Sequence, residues 1–152
     1  MLAIEGGEKV RTKPFPARHL FGEMERDAAL ALFDGAVKNG QAIGYNGPEE
    51  RAYEREFADF LGGGYADLVN SGTSALYAAL GALRLPVAGE VIVPPITDPG
   101  GVMPVAMLCQ VPVVADADEG TFNTSAAQIE AVLTPHTRAI VVAHIAGEPV
   151  DM

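Results

Sequence analysis

The run Asn70-Ser71-Gly72-Thr73-Ser74 holds the residue types of this sequence best placed to do chemistry together. It follows the apolar Leu68-Val69 and leads into an alanine-rich run, so it lies between a predicted strand and a predicted helix start. At that point several backbone N–H groups lack intrahelical partners, and the helix dipole presents its positive end. Gly72 lets the backbone approach an anion closely, and the hydroxyls of Ser71, Thr73 and Ser74 can each donate one further hydrogen bond. The chemistry this arrangement suits is phosphate binding. Ordinary helix capping by Ser71 or Thr73, with no ligand, is the alternative reading. The glycine and lysine spacings of a Walker loop or a dinucleotide fingerprint are missing.

Other reactive side chains are sparse. Asp116 and Asp118 are spaced as oxygen ligands could be, but no third carboxylate completes a site, so no metal is expected. His19 and His136 have no ligand-type neighbours in sequence and read as structural. Cys109, the single cysteine, ends the apolar stretch Val102 to Cys109 and is predicted to be a small buried hydrophobe. The three lysines, Lys9, Lys13 and Lys38, all precede the phosphate-type turn.

The elements that must position these residues alternate in kind. After a lead-in arm over residues 1–21, Leu30, Phe33 and Val37 recur at helical spacing over Glu23 to Lys38, ended by Asn39-Gly40. The turn Tyr45-Asn46-Gly47 precedes a second amphipathic helix begun by Pro48, with Tyr53, Phe57, Phe60 and Leu61 on one face and Gly62-Gly63-Gly64 at its close. Residues 22–61 thus form a helical segment. From residue 65 to 152 strand and helix alternate: Ala66 to Val69 then Thr73 to Leu83, Val91 to Val93 then Gly101 to Cys109, Val111 to Ala115 then Ser125 to Leu133, and finally Ala139 to Ile145. Ser125 and Gln128 have capping-box spacing at the third of these helices. This alternation predicts an α/β domain with a mostly parallel sheet and flanking helices.

Composition narrows the function classes. With 49% hydrophobic and 20% charged residues, the 152-residue chain is expected to form one soluble domain. A formal charge of −10 repels nucleic acid and anionic membranes. No apolar run is long enough to span a bilayer and the N-terminus carries no signal-type segment, so a cytoplasmic protein is expected.

The sequence resembles the N-terminal part of the DegT/DnrJ/StrS family of pyridoxal-phosphate-dependent sugar aminotransferases, which have the aspartate-aminotransferase (PLP fold type I) fold. The resemblance rests on an ordered series of phrases: FADFLGGGYA after a GP-initiated helix, VNSGTSALYAALGAL, GEVIVPPIT, and VPVVADADEGTFNTSAAQIEAVLTPHTRAIVVAHIAGEPVDM. It implies pyridoxal 5'-phosphate as cofactor, with Gly72 and Thr73 on its phosphate and Ser71 and Ser74 assisting. It places Asp98 where members carry an aromatic or histidine stacked on the pyridine ring, a surface a carboxylate cannot supply. It sets His144 near the cofactor pocket, where a strand-end histidine with local partners is the alternative. Tyr45 and Asn46 fall in a loop near the active site, often the partner subunit's, or form a plain turn before a proline. The family's Schiff-base lysine and the aspartate on the pyridine nitrogen correspond to positions beyond Met152, so no catalytic residue is assigned within the chain.

The resemblance further implies an amino group taken from glutamate or glutamine and passed to a keto sugar, nucleotide-linked or a cyclitol, by a homodimer, with a C-terminal portion still to be supplied. Two rivals stand beside this reading. One is an inert or split member acting as a binding or dimerisation module, in keeping with the lack of lysine after Lys38. The other is a sugar dehydratase or an aminohydroxybenzoate-type synthase on the same cofactor, which Asp98 would suit.

Overall fold

The computed structural model describes residues 1–18 and 20–152; His19 lies outside the described residues. The chain divides into two compact units, residues 1–53 and 54–152, each taken by itself below.

The first unit contains helix α1, Glu23–Asn39, and the start of helix α2, Pro48–Phe60. Local chemistry sets the bounds of α1. The Gly22 N–H donates to Oε2 of Glu25 (2.7 Å), which satisfies one of the groups a helix start leaves open. At the other end Gly40 takes the left-handed conformation (φ 63°), and its neighbour Gln41 donates its N–H to the Ala36 carbonyl (3.0 Å), the glycine-dependent closure expected from Asn39-Gly40. Between the helices Asn46 is also left-handed (φ 55°), a conformation asparagine tolerates better than most residues. Pro48 then opens α2, where its missing N–H costs nothing. Leu30, Phe33 and Val37 keep their helical spacing but are exposed, so α1 buries no apolar stripe in its own unit.

The second unit is built on a three-stranded parallel sheet of β1 (Glu90–Val93), β2 (Val111–Val114) and β3 (Thr137–Ile140), in the order β2-β1-β3. Around it lie helices α3 (Gly72–Ala82), α4 (Met103–Met107) and α5 (Ala126–Val132). Central β1 is covered on both faces, with Val91, Ile92 and Val93 fully buried, which is why its sequence is continuously apolar rather than alternating. Val91 and Val93 meet Leu80 of α3 and Val105 of α4 in one core cluster, flanked by Leu76, Leu85, Val102, Leu108, Ala139 and Val141.

The parallel α/β reading stands, and several predicted elements move. Ala66 to Val69 forms no strand: a strand needs a neighbour, no segment of the described residues pairs with it, and the Leu68 N–H instead donates to the Glu54 carboxylate (2.9 Å). The final strand is Thr137–Ile140 rather than Ala139 to Ile145, because after Val141 the chain leaves the ladder and turns through a left-handed Ala146 (φ 52°). The helix predicted over Gly101 to Cys109 is one 3₁₀ turn, Pro99–Gly101, followed by the short α4. Cys109 is exposed, not buried, at a left-handed turn (φ 58°) that returns the chain from α4 to β2. The capping box at α5 is half made, with Oγ of Ser125 accepting the Gln128 N–H (3.4 Å).

Candidate functional site

The strand order creates a position where the chain reverses its progress across the sheet. From β1 it moves to β2 on one side, then crosses back to β3 on the other. In open α/β sheets ligands bind outside the carboxyl ends of the strands at such a switch point. Asp98 follows the carboxyl end of β1 and His144 that of β3, so both emerge at this end.

Helix α3 delivers its N-terminus to the same place. Ser71 is its N-cap: Oγ accepts the Ser74 N–H (3.1 Å), and its hydroxyl donates to Oγ of Ser74 (3.1 Å). The first intrahelical bond runs from Ala75 N–H to the Ser71 carbonyl (3.0 Å), which leaves the N–H groups of Gly72 and Thr73 without intrahelical partners. With the Ser71 proton engaged on Ser74, the hydroxyls of Thr73 and Ser74 are the donors left for a ligand.

The segment after β1 is pressed onto this helix start. A β-carbon built on Gly100 would overlap Oγ1 of Thr73 and stand 2.9 Å from Oδ1 of Asp98. Glycine is required there because the backbone of the turn and the Thr73 side chain occupy adjoining space. Gly101 is constrained likewise by the Thr97 side chain. Asp98 has a local task in this turn: Oδ1 accepts the Gly100 N–H (2.8 Å) and caps the 3₁₀ segment. The aspartate therefore shapes the turn that meets Thr73, and being exposed it offers no apolar surface to a ring.

His144 is held by its own loop. Nδ1 accepts the Val150 N–H (2.9 Å), so the neutral ring carries its proton on Nε2. The same loop is clamped by Asn123, a buried residue that sequence reasoning passed over. Its Nδ2 donates to the Glu148 carbonyl (2.9 Å), and its Oδ1 accepts the Ile145 N–H (3.4 Å). The structure thus brings Ser71, Gly72, Thr73, Ser74 and Asp98 together and sets His144 at the same end of the sheet. Tyr45 and Asn46 belong to the other unit: Tyr45, with Leu32, Ile43 and Pro48, borders a cavity of about 360 Å³, and Asn46 is the left-handed residue of the turn. Gly100 and Gly101 were also missed as site-shaping residues: Pro99-Gly100-Gly101 suggests a loose turn, whereas Thr73 and Thr97 press closely on its two glycines.

Asp116 caps the following Ala117 N–H (2.8 Å) and Asp118 accepts from Oγ of Ser125 (2.8 Å), so both serve the turn after β2. Among the described residues no group of three or more His, Cys, Asp or Glu is placed to hold a metal ion. The His136 carbonyl accepts the Glu90 N–H (3.0 Å) in the loop before β3. No helix of the described residues is long and apolar enough to cross a membrane.

Comparison with known proteins identifies the lineage. Residues 24–152 match the DegT/DnrJ/EryC1/StrS aminotransferase family. The chain belongs to this family. It is 36% identical over 153 residues to the L-glutamine:2-deoxy-scyllo-inosose aminotransferase of Streptomyces fradiae, covering 99% of this chain and 36% of that protein. Among solved structures, the aminotransferase from Psychrobacter cryohalolentis superposes with a TM-score of 0.76 at 36% identity, over 91% of this chain and 33% of that one. A GDP-4-keto-6-deoxymannose-3-dehydratase, solved with a trapped PLP-glutamate geminal diamine, superposes with a TM-score of 0.75 at 25% identity, over 86% of this chain and 34% of that one. The chain thus has the fold of the type I PLP enzymes and spans about a third of the length of these family members.

Proposed function

We propose that this chain is the phosphate-binding portion of a PLP-dependent aminotransferase that moves an amino group from glutamine or glutamate to a keto sugar or keto-cyclitol. The observation that carries the reading is the packing of the Asp98–Gly101 turn on the N-terminus of α3, where the Gly72 and Thr73 N–H groups and the Thr73 and Ser74 hydroxyls can donate to a ligand at the switch point of the sheet.

The donor set fits a phosphate monoester. Backbone N–H groups at a helix start and neutral hydroxyls match its acceptor oxygens, and the dipole of the 11-residue α3 favours its charge. In this reading Gly72 and Thr73 hold the phosphate, Ser74 adds a hydroxyl, and Ser71 fixes the helix start. Asp98 keeps the turn tight through Gly100. His144, with Nδ1 on the Val150 amide, presents Nε2–H as a donor toward the bound molecule. When bound, the cofactor supplies an electron sink for the substrate carbon that gains or loses the amino group. The resemblance assigns the lysine and aspartate that such chemistry needs to positions with no counterpart in this sequence, whose three lysines, Lys9, Lys13 and Lys38, all precede the Ser71–Ser74 turn. They belong to the two thirds of the relatives that this chain does not span. Tyr45 and Asn46 belong with the substrate side of a homodimer, and the partition into arm (1–21), helical segment (22–61) and βα repeats (65–152) of one cytoplasmic domain goes with the same reading.

A second reading, a PLP-dependent dehydratase, draws on the resemblance, which sets Asp98 where members carry a ring-stacking side chain. Nitrogen-labelled glutamine offered to the protein from its native source separates the two. Label recovered on the sugar supports transfer, whereas loss of water from the sugar without label sinks the aminotransferase reading. At the level of the isolated chain, pyridoxal phosphate should bind and unphosphorylated pyridoxal should not; equal binding of the two would overturn the phosphate site.

A further inference from the structure

The chain has two Asn-Gly pairs, Asn39-Gly40 and Asn46-Gly47, both in the first unit. An asparagine followed by glycine can react with its own backbone. The nitrogen of the next residue attacks the side-chain Cγ, and glycine, with no β-carbon, leaves that approach open. The attack requires rotation about the asparagine Cα–C bond, which brings the two atoms together. The two pairs differ in how far the fold permits this rotation.

Asn39 is the last residue of α1. The Gly40 N–H donates to the Val37 carbonyl (3.4 Å) and the Gln41 N–H to the Ala36 carbonyl (3.0 Å), so turning the Asn39–Gly40 peptide would break the closure of the helix. Asn46 is exposed and left-handed (φ 55°) in the turn between α1 and α2. Among the described residues neither its side chain nor the Gly47 N–H makes a hydrogen bond; of the Gly47 backbone only the carbonyl is engaged, by the Arg51 N–H (3.1 Å). Space is open as well: a β-carbon built on Gly47 would meet nothing nearer than Oε2 of Glu49, at 3.5 Å.

We propose that Asn46 is a modification site at which the side-chain amide is lost without an enzyme and replaced by aspartate and isoaspartate, while Asn39 is protected. The Gly47 nitrogen bonds to Cγ of Asn46 as the Cγ–Nδ2 bond breaks, and the Gly47 proton passes through solvent to the nitrogen that leaves as ammonia. The product is a cyclic imide. Water then opens it at either carbonyl: opening at Cγ gives aspartate, and opening at the main-chain carbonyl gives isoaspartate, whose main chain runs through Cγ. No oxidant or reductant takes part. Both routes leave a new carboxylate close in sequence to Glu49 and Glu50 in the first turn of α2. The isoaspartate route also lengthens the main chain between Tyr45 and Gly47, both of which line the cavity of about 360 Å³. The inference is independent of the cofactor chemistry proposed above, because the only co-reactant is water.

The test is incubation of the 152-residue chain in mildly alkaline buffer, folded and in denaturant, followed by fragment-ion mass spectrometry that reads the two asparagines separately. In the folded chain the Asn46 amide should be lost about tenfold or more faster than that of Asn39, because reaction at Asn39 must wait for local opening of the helix end. In denaturant the two should react at similar rates. Gly47→Ala, whose methyl group the turn accommodates, should slow the loss at Asn46 several-fold and leave Asn39 unchanged; the comparison within the unmodified chain stands even where the variant does not fold. An isoaspartate-specific carboxyl methyltransferase should label the incubated chain in step with the loss at Asn46. Equal rates at the two sites in the folded chain, faster loss at Asn39, a difference that persists in denaturant, or loss at Asn46 without methyl acceptance overturns the proposal.

Discussion

Thr73 and Gly100 share one small volume: the threonine hydroxyl lies where a side chain at position 100 would begin. This contact ties the N-terminus of α3 to the turn after β1, and so links the two segments that frame the candidate site.

Gly100→Ala is therefore expected to destabilise the second unit by about 1–3 kcal/mol, the usual range for forcing an extra carbon into a packed place. Denaturant titration measures it. Thr73→Ala in the same chain should return part of the loss, and a strictly additive double-mutant cycle would show that the two residues are not coupled.

Ser71 caps α3 through the Ser74 N–H. Ser71→Ala should cost about 0.5–2 kcal/mol and Ser71→Gly only a few tenths, approximately, because the flexible backbone lets water satisfy the group. Equal losses for the two variants would count against a capping role.

Asn123 makes two hydrogen bonds from a buried position to the loop that carries His144. Asn123→Leu should leave the Ile145 N–H and the Glu148 carbonyl unpaired, at about 1–3 kcal/mol. Amide exchange at Ile145 and Val150 should rise well before exchange in β1 does; a uniform rise would instead indicate global loss of stability.

Glu25 offers a pH test in the first unit. Its backbone hydrogen bonds, its own N–H first and the Gly22 N–H second, hold its carboxyl below the usual carboxylate range. A carboxylate with a lowered folded value adds stability that is fully present above its unfolded value and is lost as pH falls through the folded one. Helicity of α1 should accordingly decline in acid, and Glu25→Gln should flatten that decline.

Much of this was legible in the sequence where the cause is local. Asn39-Gly40 ends α1 and Pro48 begins α2 because a left-handed glycine and a missing N–H act within one turn. Ser71-Gly72-Thr73-Ser74 reads as a helix start for the same reason. What the sequence left hidden depends on distant partners. Ala66 to Val69 has the composition of a strand, but composition does not supply a neighbour. Asn123 acts on residues 22 and 25 positions away, a separation no spacing pattern reports. Cys109 followed the apolar run into an expected burial, while the left-handed turn at that residue carries it to the surface. Asp98 looked anomalous as a ring neighbour, and its bond to the Gly100 N–H gives it an ordinary purpose.

In β2, an outer strand of the sheet, the Val111 N–H donates to the Gly89 carbonyl (3.0 Å) and its neighbour Pro112 faces outward. A sheet that can grow from both sides can recruit copy after copy into a fibril. Here the β2 margin resists such growth, because outward-facing Pro112 has no N–H to offer a further strand. The β2 margin is thereby blunted against the edge-to-edge stacking on which fibril growth depends.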